Sequence, residues 1–171
     1  FDGGYENVYG DQYYGICELY AGTQGNMRLL TATDNSWKWK KSPVVFNNIY
    51  DGEIYSSALE EELKKQDGWK PVLIRIPEKC GPLGDRWSLP VVEKERFYPI
   101  SVIHSPKDET ILDFGQNLTG WVIIHGYIPE GITLKLTAAE ILQDGCFYHD
   151  NLRTDRTEFI YHSNGKKMDI R

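Results

Sequence analysis

An all-β fold, built as two antiparallel sandwich-like units with one short surface helix, follows from three observations on this 171-residue chain. Apolar and polar residues alternate over short runs, the signature of half-buried strands. Aromatics make up 13% of the residues, with 5 Trp and 11 Tyr, and flat rings pack well on a pleated surface. Turn words bearing Gly and Pro punctuate the runs, and nothing alternates strand with helix as a parallel α/β sheet would require.

The elements follow in order. Residues 14–20 read as a strand after the Gly10-Asp11 turn, and residues 27–32 as its hairpin partner after the Gly-bearing stretch 22–25. Asp34-Asn35-Ser36 is a turn signal before Trp37-Lys38-Trp39-Lys40, where two Trp alternate with two Lys and predict a strand with a basic outer side. Ser42-Pro43 opens a strand over 44–46, and residues 47–53 form a polar loop. Residues 58–65 predict the helix: Leu59 and Leu63 sit one turn apart, Lys64 and Lys65 close the last turn, and Asp67-Gly68 ends it. About two turns cannot persist unaided, so this helix depends on tertiary contact. Residues 69–76 read as a strand with Pro71 near its start, where a missing donor is tolerated. The Gly- and Pro-rich stretch 77–90 reads as a long connection, which places a domain boundary near residue 90. Residues 91–102, 110–114, 120–127, 133–140 and 157–161 then predict a second set of strands.

Composition excludes several function classes. The net charge is −6 and the charges are interspersed, so a phosphate backbone meets no basic stripe and a nucleic-acid partner is not expected. No apolar run approaches the roughly 20 residues of a membrane span. Cys17, Cys80 and Cys146 are far apart, odd in number and without a C-x-x-C spacing; they read as buried free thiols, not as a zinc site. The chain opens on Phe1 with neither an initiator Met nor a signal-peptide pattern, which suggests an excised or processed piece.

Chemistry within the chain is sparse. Glycoside hydrolysis needs two carboxylates about 5–9.5 Å apart across a cleft, and Glu140, Asp144 and Asp150 are the nearby candidates. Acidic residues on an acidic chain are more often solvated surface. His104, His125, His149 and His162 are scattered, with no nucleophile elbow around a Ser. His149-Asp150 has the form of a dyad, although a loop histidine is more often structural. Asn117-Leu118-Thr119 fits a glycosylation sequon, a pattern common by chance. The aromatic residues suit sugar contact as well as a core, and the core reading carries the greater weight for any one of them.

One stretch narrows the field: Asp113-Phe114-Gly115-Gln116-Asn117-Leu118-Thr119-Gly120-Trp121, followed by the Pro129-Glu130-Gly131 turn, Asp144-Gly145 and Asn151-Leu152-Arg153-Thr154. Upstream stand Phe1-Asp2-Gly3-Gly4, Tyr9-Gly10-Asp11, Asp34-Asn35-Ser36-Trp37-Lys38, Asn48-Ile49-Tyr50-Asp51-Gly52-Glu53-Ile54-Tyr55 and Trp69-Lys70-Pro71-Val72. In this order and spacing these words resemble the β-sandwiches that precede the catalytic barrel of bacterial α-L-rhamnosidases. The resemblance implies a partial amino-terminal sandwich over 1–90, similar to a rhamnose-binding module, and a second jelly-roll or concanavalin-like sandwich over 91–171. It also implies a parent enzyme that hydrolyses terminal α-L-rhamnosyl groups of glycans or plant glycosides, with its catalytic acids in a barrel outside these residues.

Two groups of site residues follow from the resemblance. In some relatives the first sandwich binds terminal L-rhamnose through calcium, an ion that takes about 6–8 oxygen ligands in irregular geometry. Glu6, Asn7 and Asn48 are the expected metal ligands, with Tyr50 as a sugar contact and Gly52 and Glu53 in the same loop. Asn, Asp and Gly are equally what tight turns demand, so a turn without a ligand stands beside this reading. Asp113, Gln116, Asn117 and Arg153 are expected to face the barrel; the competing reading is a turn with strand caps. Trp121 is expected to fill the core. A purely structural sandwich and a stand-alone glycosidase remain the two other classes of function.

Overall fold

A computed structural model describes residue 12, residues 14–76, residue 84 and residues 88–170, with backbone only for 168–170. The fold is all-β with a single short α-helix among these residues. No helix among them is long and apolar enough to cross a membrane.

The chain divides into two compact units, the first made of Phe1–Lys40 with Asp67–Pro82, the second of Lys41–Gln66 with Leu83–Arg171. This partition cuts the chain differently from a boundary near residue 90, because residues 41–66 group with the later strands.

In the first unit, β1 (Glu18–Thr23) pairs antiparallel with β2 (Asn26–Ala32). The turn between them needs Gly22, where a Cβ would lie 2.1 Å from the Asn26 carbonyl oxygen. β3 (Lys38–Trp39) pairs with β6 (Lys70–Pro71), a ladder much shorter than the strand expected over 69–76. Lys70 Nζ lies 5.4 Å from the Trp39 ring and Lys40 Nζ 5.7 Å from the Trp69 ring, so each ring carries a cation.

In the second unit, β4 (Val44–Asn48) and β5 (Gly52–Ser56) form a hairpin that runs into α1 (Ser57–Lys64). Further on come β7 (Ser101–His104), β8 (Thr110–Asp113), β9 (Ile124–Tyr127), β10 (Thr133–Thr137), β11 (Ile141–Gln143), β12 (Cys146–Tyr148), a 3-10 turn at Asp150–Leu152, β13 (Glu158–His162) and β14 (Lys167–Ile170). The central sheet has the order β10-β13-β5-β4. Its β5–β13 pairing is parallel, against the purely antiparallel expectation. A parallel pair requires a long crossover, and the chain between Ser56 and Glu158 supplies it.

Several elements correct the strand list: β14 falls outside the expected strands, and β9 covers only the end of the strand expected over 120–127. β11 and β12 form a hairpin closed by Asp144 at φ 53° and Gly145 at φ 74°. Asp-Gly between apolar runs is the pattern of a two-residue hairpin, so that signal was present in the sequence. The expected strand over 91–102 is confined to its last residues, in β7.

Burial is concentrated in the second unit. Tyr161 is 6% exposed and stacks on Tyr55 at 5.9 Å between ring centroids. Ser57, 2% exposed, opens α1 and donates its hydroxyl to the His162 carbonyl, while Asn164 Nδ2 donates to the Ser57 carbonyl. The helix is thereby pinned to the end of β13. Lys166 adds an ion pair to Glu61 on its outer face. Cys146 is buried, as a free thiol of small apolar character would be. Cys17 is exposed, contrary to expectation, and Cys80 lies outside the described residues.

Candidate functional site

The β4–β5 turn carries most of the expected sugar and metal residues. Asn48 pairs with Gly52, and residues 49–51 form the connection. Asn48 Oδ1 accepts from the Tyr50 N–H at 2.8 Å and from the Asp51 N–H at 3.2 Å. An amide oxygen has two acceptor sites, so both are committed to the turn, and Asn48 as it stands does not fit a calcium ligand. Gly52 has φ +98°, and a Cβ there would lie 2.1 Å from the Glu158 carbonyl oxygen. Its need is therefore backbone contact with β13, which any side chain would block. Glu53 Oε2 accepts from Asn47 Nδ2 at 3.0 Å. Glu6 and Asn7 lie outside the described residues. Among the described residues, no group of three or more His, Cys, Asp and Glu is placed to hold a metal.

A second segment is fastened to this turn. The Thr157 N–H donates to the Tyr50 carbonyl and the Glu158 N–H to the Asp51 carbonyl, both at 3.0 Å. Arg156 Nε lies 3.8 Å from Asp51 Oδ1. Thr157 holds φ 47° and Arg153 φ 64°, conformations that β-branched and long side chains rarely adopt. The Thr157 conformation is fixed from several directions. Its hydroxyl donates to the Ala138 carbonyl at 2.7 Å, its own carbonyl accepts from the Ala138 N–H, and His149 Nε2 meets the hydroxyl at 2.9 Å. The Arg156 carbonyl lies 2.9 Å from the same hydroxyl, and which of Nε2 and Oγ1 donates in the His149–Thr157 contact is set by the imidazole tautomer. The His149 ring also stacks on Phe147. His149 is thus a packed, hydrogen-bonded structural residue, and its contact is Thr157 where the sequence offered Asp150. Tyr50, from the expected sugar loop, and Arg153, from the expected barrel-facing group, belong to two segments that the structure joins at one end of the central sheet.

The remaining candidates are separate. Asp113 Oδ1 accepts from the Gly115 N–H at 2.7 Å and the Asp113 carbonyl accepts from the Ile100 N–H, so this carboxylate caps its own turn. Gln116 and Asn117 are exposed. Glu140 meets Asn151 Nδ2 at 3.4 Å, Asp144 turns the β11–β12 hairpin, and Asp150 opens the 3-10 turn.

A cavity of about 370 Å³ is lined by Glu53, Tyr55, Phe159 and Tyr161 of the central sheet together with Trp121 and Ile124. Trp121 is 40% exposed, so it walls a cavity where a core position was expected. Burial, then the hydrogen bond to the Glu60 carboxylate, pushes the Tyr55 phenol well above its usual range; its hydroxyl stays a donor to Glu60 at 2.9 Å. Elsewhere, Glu109 Oε2 accepts from the Ser105 hydroxyl at 2.6 Å and the Phe147 N–H at 3.0 Å, tying the β7–β8 turn to β12. These two bonds, the hydroxyl first, hold the Glu109 carboxyl below the usual carboxylate range.

Comparison with known proteins identifies the lineage. Residues 1–79 match the α-L-rhamnosidase N-terminal domain, and residues 103–171 match the bacterial α-L-rhamnosidase concanavalin-like domain. The chain belongs to the α-L-rhamnosidase family. An α-L-rhamnosidase of Alteromonas sp. (strain LOR) is 33% identical over 145 residues, covering 81% of this chain and 16% of that protein. One from Formosa agariphila is 30% identical over 116 residues, covering 64% of this chain and 12% of that protein. The crystal structure of native α-L-rhamnosidase from Aspergillus terreus superposes with a TM-score of 0.80 at 28% identity, over 100% of this chain and 20% of that one. This rhamnosidase-family chain thus spans a sixth or less of the two curated relatives' lengths. The fold shown by that superposition is the one the strand pattern predicts.

Proposed function

We propose that this chain is a non-catalytic scaffold and carbohydrate-recognition part of an α-L-rhamnosidase that hydrolyses terminal α-L-rhamnosyl groups. The observation that carries the reading is the ordered pair of domain matches over 1–79 and 103–171, together covering little of each full-length relative. The cavity supports the recognition role. Its aromatic and aliphatic lining suits a 6-deoxy sugar, whose methyl group is apolar, while the Glu53 carboxylate can accept from hydroxyls. Glu53 is the sole carboxylate among its lining residues, whereas hydrolysis uses two.

Trp121 reports on this reading directly. L-rhamnose at millimolar concentration is expected to change Trp fluorescence saturably, and Trp121→Ala is expected to remove the change. Calcium enters as a separate arm. Binding that survives chelator assigns the sugar to the cavity. Binding lost with chelator assigns it to a calcium site built around Glu6, Asn7 and Asn48, with Asn48 released from its turn. No saturable change under either condition would leave scaffolding as the function.

A further inference from the structure

The tip formed by residues 49–51 and the segment 153–157 has a composition that turn-making does not explain. Tight turns are served by polar and small residues. Here Ile49 is 89% exposed and Tyr50 54% exposed at the apex. Arg153 is exposed beside the 3-10 turn, with no ion pair among the described residues, and the Arg156 side chain is 74% exposed. Leu73 is just as bare, at 94%. Ile49 is different because it lies between Asn48, the last residue of β4, and two residues whose backbone is hydrogen-bonded. Two bonds to Asn48 Oδ1 and two to β13 and its approach hold the turn, and Thr157 holds the other segment in a conformation that its surroundings must enforce. A rigid surface that displays an aliphatic, an aromatic and two guanidinium groups is preorganised for binding, since little ordering remains to oppose it. Tyr and Arg also dominate the residues that carry interface energy.

We propose that Ile49, Tyr50, Arg153 and Arg156 form one rigid docking plug that seats in a carboxylate-bearing concavity on the other polypeptide of the rhamnosidase. The inference rests on the function proposed above. Most of such an enzyme is polypeptide beyond the stretch matched here, since the match covers 20% of the Aspergillus terreus chain and 16% of the Alteromonas protein. Charge selects the counterpart: guanidinium groups pair with carboxylates through paired N–H donors, and Asp51 engages Arg156 only loosely at 3.8 Å. Shape selects a polypeptide over a sugar, because sugars and other small ligands occupy concave sites while this is a bare hairpin apex.

Hydrogen exchange compares the 171-residue chain with the complete rhamnosidase polypeptide that carries it. Exchange of the amides of 49–51 and 154–157 is expected to slow at least tenfold in the complete polypeptide. The triple variant Ile49→Asp, Arg153→Glu, Arg156→Glu is expected to erase that difference while leaving the melting temperature of the 171-residue chain unchanged. Equal exchange in both forms, or protection untouched by the variant, overturns the proposal. Protection of the same amides by L-rhamnose alone, in the 171-residue chain, also overturns it by assigning the tip to a sugar. Hydrolysis of an aryl α-L-rhamnoside by the complete polypeptide is scored separately: its failure would count against the proposed function, while the exchange data would still judge the plug.

Discussion

The first unit and the second are made from the same kind of strand yet are held together differently. Every β1 residue in the first unit is exposed, as are all but the last of β2, and its two ladders have two strands each. The second unit contains the four-stranded sheet, the stacked Tyr55 and Tyr161, and buried Ser57, Ser105, Cys146 and Ser163. Hairpins pair residues close in sequence and leave both faces to be covered. Only the β5–β13 pairing, which joins distant parts of the chain, builds a sheet wide enough to bury side chains between elements. While β9–β14, β3–β6 and β10–β13 join residues at intermediate separations, the β5–β13 pairing spans the greatest stretch of sequence and widens the central sheet.

The largest effect should come from that pairing. Gly52→Val places side-chain atoms against the Glu158 backbone and is expected to destabilise the second unit by at least about 3 kcal/mol in urea unfolding. An unchanged midpoint would remove β5–β13 as the organiser. Next, Tyr161→Ala should cost about 3 kcal/mol by emptying a buried aromatic site. Leu29→Ala on exposed β2 should cost under about 1 kcal/mol. Equal costs would erase the contrast between the units.

A smaller effect depends on pH. The Glu109 carboxyl is depressed in the folded state by the Ser105 hydroxyl and the Phe147 N–H. Its contribution is therefore present above the unfolded value of about 4.3 and is lost as pH falls through the lower folded value. Glu109→Gln should flatten the acid side of the stability profile and weaken the protein at neutral pH; parallel profiles for the two proteins would refute this. The smallest change belongs to the first unit. Lys70→Ala removes the cation from the half-exposed Trp39 ring and should cost roughly 0.5–1 kcal/mol, read by denaturant titration of Trp fluorescence.

What the sequence disclosed follows this division. Local pairings were legible because alternation and turn chemistry are local: β2, the helix, β8 and β13 lie within one residue of their expected bounds at each end, β10 ends three residues short of the strand expected over 133–140, and β1 begins four residues after the start of the strand expected over 14–20. The Asp144-Gly145 hairpin was legible but unread, because its three-residue strands are too short to show alternation. The parallel pairing was not legible, since nothing in residues 52–56 names residues 158–162 as partners. At the site, Asn48 had two chemical readings, and only geometry shows its oxygen engaged by two turn amides. Ile49 stood as the one aliphatic residue in a polar loop, a signal masked by the polar residues on either side. The joining of Tyr50 to the segment before β13 depended on the same invisible pairing.

The central claim is that these strands support and recognise while bond cleavage belongs to polypeptide outside them. Incubating the purified 171-residue chain with an aryl α-L-rhamnoside tests it most directly. The account predicts no product release above that of the buffer. Release that disappears on replacing Glu53, Glu140 or Asp144 with its amide would contradict it.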